Sequence, residues 1–310
     1  MTQDFLTTPA KILITGVDGQ IGYFLNQATE SDPFFSVVAF TDSKLDISSR
    51  EQVQKQLNEH QPDYVINTTG FNAVDRAEAN SERCFALNRD AVENLALACS
   101  ELAIPLIHLS SDYVFDGHYE SGYTEDDQAR PLGLYGESKW QGEEVLRSVL
   151  AKHVILRVSW VFSTIGDNFM RRALLQARQQ EEIFAADDRR GCPTSASDIA
   201  RVIAAILKQL HNGAENWGTY HYCCAEVTTR YGFTEAVLAA AGQYEKLKVE
   251  KLIPISSSDL GSDAERPASS VLVCTKLLNH FGIRQRPWRS QLVAMIREQY
   301  QNEEINDITA

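Results

Sequence analysis

The feature that most constrains this chain is a strand that runs straight into TGVDGQIG and out into a helix. Gly16, Gly19 and Gly22 follow the apolar run KILIT (11–15) without a spacer. Glycines at such a turn let backbone approach a pyrophosphate, which then rests against the N-terminal amides of the helix. The spacing is G-x-x-G-x-x-G rather than the G-x-G-x-x-G of ordinary dehydrogenases, and a glycine turn also serves plain packing. The strand before it and the helix after it favour dinucleotide binding. Asp18, inside the turn, would repel a pyrophosphate unless it points to solvent or caps the helix.

The same alternation continues downstream. SVVAF (36–40), DYVIN (63–67) and PLIHLS (105–110) read as strands, separated by helical patterns near 20–30, 49–60 and 81–103. In the third helix, Phe85, Val92, Leu95, Cys99 and Leu102 are spaced to share one face. Right-handed crossovers turn this pattern into an α/β fold, a doubly wound parallel sheet whose ligands bind beyond the carboxyl ends of its strands. HVILRVSW (153–160) reads as a further strand, 197–210 as a helix and GTYHYCC (218–224) as a strand returning to the sheet. The expected organisation is a dinucleotide-binding unit of 1–160 with 194–225. A smaller, discontinuous substrate unit of 161–193 with 226–310 would close over the strand ends.

Chemistry enters at Ser111, Tyr135 and Lys139, in SSDYVF and YGESK. Four residues are about one helical turn, so the Tyr135 phenol and Lys139 ammonium share a face of a helix beginning there. A neighbouring cation lowers the pKa of a phenol, and the Ser111 hydroxyl can hold a substrate oxygen against it. With a dinucleotide turn upstream, the set reads as hydride transfer to or from a carbinol carbon. Asp42, 20 residues beyond Gly22, is placed to bond an adenosine ribose 2'-hydroxyl, and Lys44 to reach a 2'-phosphate. The cofactor is therefore NADPH or NADH, with a lean from Asp42 toward NADH.

Charge narrows the partners. The 310 residues carry a net charge of -13 without a Lys/Arg cluster, which argues against nucleic acid and leaves any anionic substrate to a few local donors. No apolar stretch approaches a membrane span and no leader precedes the first strand, so a cytoplasmic enzyme is expected. Cys84, Cys99, Cys192, Cys223, Cys224 and Cys274 form no CxxC pair and read as buried free thiols. No metal cluster is legible.

TGVDGQIG, TTGFNAVDRAE, SSDYVFDG, PLGLYGESKWQGE, LRVSWVF, DNF, GCPT and ERPASS, in that order over roughly 11–290, resemble the dTDP-4-dehydrorhamnose reductase family of extended short-chain dehydrogenase/reductases. The resemblance implies a Rossmann domain, a C-terminal sugar-nucleotide domain and reduction of the C4 keto group of dTDP-4-dehydro-L-rhamnose to dTDP-L-rhamnose. By motif, Ser111, Tyr135 and Lys139 become the catalytic triad. Gly16, Gly19, Gln20, Ile21 and Gly22 would serve the pyrophosphate turn, Asp46 and Ile47 the adenine, Thr68, Thr69 and Phe71 the cofactor body, and Lys139 the nicotinamide ribose. Val74, Asp75, Tyr113 and Trp160 would line the sugar pocket. Arg266 has two readings, a bidentate grip on a diphosphate or a pairing with a surface acid. Asn88 also has two, support of the active-site strand or a satisfied core amide. Some family members are dimers, so a homodimer is an open expectation.

The chain departs from the family pattern chiefly where the nucleotide-sugar would sit. TTG replaces AAA before Phe71, Asn72 replaces a common threonine, and Arg189 replaces a glutamine in DDRRGCPT. Ser269 replaces an asparagine, and TTRYGF lacks the usual tryptophan. Two rival readings stand beside the reductase. One is a sugar-nucleotide epimerase or dehydratase, although Tyr113 stands where a dehydratase carries glutamate after Asp112. The other is a binding subunit of the kind that regulates eukaryotic methionine adenosyltransferase, against which the intact Ser-Tyr-Lys set argues.

Overall fold

The computed structural model describes residues 8–261 and 264–309, with 302–309 as backbone alone. β1 (Ala10–Thr15), β2 (Phe35–Phe40), β3 (Tyr64–Asn67), β4 (Leu106–Ser111) and β5 (His153–Val158) are joined by helices. These are α1 (Gln20–Glu30), α2 (Arg50–His60), α3 (Val74–Ala79), α4 (Ser81–Phe85), α5 (Ala91–Glu101) and α6 (Leu134–Val149). The chain then leaves the sheet through β6 (Val161–Phe162), α7 (Phe169–Gln179), β7 (Glu182–Ala186), β8 (Arg190–Gly191) and β9 (Thr194–Ser195). It returns by α8 (Ala196–His211) to β10 (Gly218–Tyr222), which pairs in parallel with β5. Beyond it lie β11 (Thr228–Thr229), α9 (Arg230–Ala241), β12 (Lys251–Ile255), β13 (Ser269–Ser270), α10 (Thr275–Phe281) and α11 (Trp288–Thr309).

The main sheet has the order β10-β5-β4-β3-β1-β2 and is parallel throughout. Strand order reverses between β1 and β3, and the crevice at such a reversal is where α/β sheets take their ligands. Alternation along the strands supplies two apolar layers. Ile12, Ile14, Ile66, Ile107 and Leu156 meet Leu25 of α1 and Ile199, Ile203 and Ile206 of α8. Leu13, Val65, Leu106 and Ile155 meet Val53 and Leu57 of α2 and Val92 and Leu95 of α5. A separate cluster of Phe162, Met170, Phe233, Trp288 and Ile296 holds α7, α9 and α11 together beside the sheet.

Two local departures from the sequence reading have physical causes. The helix expected over 81–103 is interrupted by a π-turn at Ala86–Asp90, which rotates what precedes it. Val92, Leu95 and Cys99 are therefore buried together, while Phe85 is half-buried and Leu102, beyond the helix, is exposed. The fifth strand stops at Val158, because Trp160 adopts a left-handed backbone (φ 47) that carries its indole out of the sheet.

A buried ion pair fixes β4, β5 and α6 to one another. Glu143, fully buried, receives Arg157 at 2.7 Å and Arg147 at 2.5 Å, and accepts the Ser110 hydroxyl at 2.5 Å. Both arginines hold its carboxyl below its usual range against the opposing effect of burial.

Candidate active site

A cavity of about 900 Å³ opens over the carboxyl ends of the central strands. One side begins at the glycine turn. Gly16 has φ 72, and Gly19 occupies the N-cap of α1 with no side chain across the helix amides. A Cβ at Gly22 would overlap the Gly16 carbonyl oxygen, so turn and helix are packed as closely as backbone allows. Gly19, Gln20 and Ile21 line the cavity, while Gly16 and Gly22 shape it from behind. Gln20 also receives Ser163 Oγ at 2.7 Å and Asn168 Nδ2 at 3.0 Å, joining α1 to the segment after β6. Asp18 caps nothing: its carboxylate accepts the Asp42 backbone N–H at 3.1 Å and lies exposed.

Thr68 lines the cavity and donates its hydroxyl to the Thr15 carbonyl at 2.6 Å. Thr69 is buried and donates to Asp42 Oδ1 at 2.8 Å. Phe71 lies behind the lining, its backbone N–H and C=O both bonded to the Asn88 amide at 2.9 and 3.0 Å. Asn88 Nδ2 also reaches Ser138 Oγ at 2.9 Å, so this amide ties the turn after β3 to α6.

Asp42, Lys44, Asp46 and Ile47 lie outside the cavity lining, beyond the end of β2. Asp46 is engaged by the Ser48 backbone N–H at 2.9 Å and its hydroxyl at 2.6 Å. The side chain of Ile47 is 1 % exposed among Leu45, Val53 and Leu57. The adenine role expected of it is thereby limited to its backbone, because the core already holds the side chain.

Ser111, Tyr135 and Lys139 meet at the cavity floor. Ser111 ends β4, and Tyr135 and Lys139 sit one turn apart on α6. Ser111 Oγ donates to Asp112 Oδ1 at 2.9 Å and accepts the Tyr113 N–H at 3.2 Å. Tyr135 Oη lies 3.5 Å from Asn72 Oδ1, and its ring meets Tyr113 edge to face at 5.5 Å. Lys139 Nζ donates to the Leu109 carbonyl at 3.1 Å.

The electrostatics correct the sequence reading. Burial, not the neighbouring cation, dominates Tyr135 and raises its phenol well above its ordinary value. Burial also pulls the Lys139 ammonium down to about 8 and pushes the Asp112 carboxyl up to about 6. A phenol held in its protonated form is the form a general acid requires.

The opposite side of the cavity carries the residues expected to meet a sugar. Val74, Asp75, Tyr113, Trp160 and Arg266 all line it. Arg266 donates to Asp75 at 2.7 Å, so two expected contacts are engaged with each other. Four further arginines line the cavity: Arg76, exposed beside Asp75; Arg172, paired with Asp167 at 2.8 Å; Arg189, bonded to the Arg266 carbonyl; and Arg230. Arg172 and Arg230 escaped the sequence reading, since no spacing along the chain ties either one to the cavity. The departure of TTRYGF from the family pattern was the available signal for Arg230. Among the described residues, no group of three or more His, Cys, Asp or Glu is placed to hold a metal, and no helix is long and apolar enough to cross a membrane.

Comparison with known proteins adds a family and its architecture. The RmlD substrate binding domain family matches residues 10–301. The dTDP-4-dehydrorhamnose reductase of Sinorhizobium fredii is 34% identical over 280 residues, covering 90% of this chain and 94% of that protein. A dTDP-4-dehydrorhamnose reductase crystal structure from Clostridium acetobutylicum superposes with a TM-score of 0.87 at 29% identity, covering 93% of this chain and 99% of that one. Another, from Bacillus anthracis in complex with NADP, gives 0.85 at 29% identity, covering 94% and 99%.

Proposed function

Since the chain belongs to the RmlD substrate binding domain family, we propose that it is an NAD(P)H-dependent oxidoreductase acting on the C4 keto group of a nucleotide-activated deoxysugar. The substrate we assign is dTDP-4-dehydro-L-rhamnose and the product dTDP-L-rhamnose, after the reductases it resembles at about a third identity. The observation that carries this reading is the convergence of Ser111, Tyr135 and Lys139 on a cavity whose other end is the glycine turn. We assign the dinucleotide to 1–160 with 194–225 and the nucleotide-sugar to 161–193 with 226–310, in a cytoplasmic enzyme whose assembly as a homodimer is open to test.

The bare N-cap at Gly19 and the close turn at Gly16 fit a dinucleotide pyrophosphate. Gln20 and Ile21 would flank it, Asp42 or Lys44 would meet the adenosine ribose, and Lys139 the nicotinamide ribose. When bound, reduced nicotinamide supplies hydride. The chain's own task is the proton. Tyr135 Oη gives its proton to the C4 oxygen as that oxygen gains negative charge, and Ser111 Oγ, within hydrogen-bonding reach of the phenol, holds that hydroxyl in place. The Lys139 ammonium beneath favours the phenolate left behind. Tyr113, Trp160 and Val74 hold the sugar and exclude water, leaving orientation to provide further acceleration.

The test is to incubate the protein with NADPH or NADH and a panel of 4-keto nucleotide-sugars, following nicotinamide absorbance and product identity. Stoichiometric cofactor oxidation with a reduced sugar product is expected. Interconversion of sugars without net cofactor consumption would instead identify an epimerase.

A further inference from the structure

Arg230 is the first residue of α9, and its guanidinium carbon lies 3.6 Å from the Trp160 ring centroid and 4.6 Å from that of Phe169. A Cβ on Gly191 would overlap the same indole. Two groups so close cannot share one face of a ring, so Gly191 closes one face of Trp160 and Arg230 covers the other. A guanidinium stacked on an aromatic face presents its N–H donors at the edge, in the plane that suits a bidentate oxyanion. The Arg230 guanidinium has no hydrogen bond or ion pair among the described residues, the residue's carbonyl alone accepting from Thr234 Oγ1, while Arg172 and Arg266 each have a carboxylate.

The position of this guanidinium matters. It lines the cavity with Ser111, Asp112 and Tyr113, and its titratable neighbours are Asp112, Tyr113, Arg266 and Arg172. Asp112 is already engaged by Ser111, and its second oxygen is without a partner, so the two opposite charges do not close on each other. A chain of net charge -13 repels anions at long range, so an anionic ligand here must be held by local cations. In a 4-keto nucleotide-sugar, the phosphoryl group on C1 lies across the sugar ring from the reacting carbon.

We infer that Arg230 is a specificity-determining residue that binds the sugar-linked phosphoryl group of the substrate, with the Trp160 face fixing its orientation. The inference rests on the nucleotide-sugar reading above. It makes the segment that departs from the family pattern, TTRYGF, part of the substrate wall.

The test is a calorimetric titration of the full-length protein, Arg230→Gln and Arg230→Lys with dTDP, which needs no turnover, followed by steady-state kinetics with the 4-keto nucleotide-sugar. Arg230→Gln is expected to weaken dTDP by about 10- to 100-fold, the range for losing charge-assisted hydrogen bonds, and to raise KM more than it lowers kcat. Arg230→Lys should recover part of the loss, and NADPH affinity should not move. Unchanged dTDP affinity in Arg230→Gln overturns the inference, including the case where only its melting temperature or pH profile shifts, which would mean that Arg230 merely balances Asp112. A preference of the wild type for UDP-glucuronate over UDP-glucose that Arg230→Gln abolishes also overturns it, in favour of a carboxylate on the sugar. If the wild type reduces no 4-keto sugar, the functional reading fails separately, and the dTDP titration still decides Arg230.

Discussion

The two ends of the cavity are built from different materials. At the glycine turn the wall is backbone: Gly16, the bare N-cap at Gly19 and the carbonyl of Thr15, all anchored at the ends of parallel strands. At the sugar end the wall is side chain, with Trp160, Arg189 and Arg266 carried by connections and Arg230 by the first turn of α9. A ligand common to many enzymes can be met by hydrogen-bonding geometry that every residue type shares. One that distinguishes this chain must be met by particular side chains, and there the sequence departs from its family.

Substitutions that strike each end should separate these roles. The largest effect is expected at the floor between them: Tyr135→Phe should lower kcat by about 100- to 10,000-fold while leaving the dissociation constant of NADPH unchanged, as measured by fluorescence titration. Turnover near the wild-type rate would remove Tyr135 from proton transfer.

Next comes Asp112, whose carboxyl is raised by burial from 3.8 to about 6. A raised carboxyl favours the folded state below the unfolded pKa, and that contribution is lost as pH rises through the folded value. Wild-type stability should therefore decline between about pH 4 and about pH 6 by about 3 kcal/mol on account of this group. Asp112→Asn should lack that decline, so the difference between the two denaturant midpoints should grow across the same window and level off above it. A difference that stays flat from pH 4 to pH 8 would show that Asp112 does not titrate there.

At the backbone end, Gly22→Ala places a methyl group against the Gly16 carbonyl. A loss of about 1–3 kcal/mol in folding stability is expected, with weakened NADPH binding and dTDP binding intact. Equal loss of both ligands would mean that the two ends are not separable. The smallest effect concerns the cofactor's phosphate. Asp42→Ser should raise the NADPH to NADH ratio of kcat/KM by about ten-fold, or about 1.4 kcal/mol, and an unchanged ratio would take Asp42 out of the ribose site.

The contrast also explains what could be read from the sequence. The glycine turn, the strand pattern and the Tyr135-Lys139 spacing were legible because each is a local relation along the chain, and α6 does begin at Leu134 as that spacing required. The π-turn at Ala86–Asp90 was not, because inserting one residue into a helical turn leaves no compositional mark. Nor was the direction of the Tyr135 shift: spacing reveals a cation one turn away, but burial, which dominates, comes from Ala77, Cys84 and Tyr113 packed around the ring. Arg230 and Trp160 are seventy positions apart, and their contact exists only because Trp160 leaves its strand through a left-handed backbone.

Glu143 has a consequence that reaches past its own salt bridges. By gripping Ser110 from α6, it sets the spacing between the residue just before Ser111 and the helix that carries Tyr135 and Lys139. That spacing is fixed by a carboxylate sealed from solvent. The loops that choose a sugar can therefore diverge among descendants of this scaffold while the reacting groups keep their separation, so new substrates need not reinvent the chemistry.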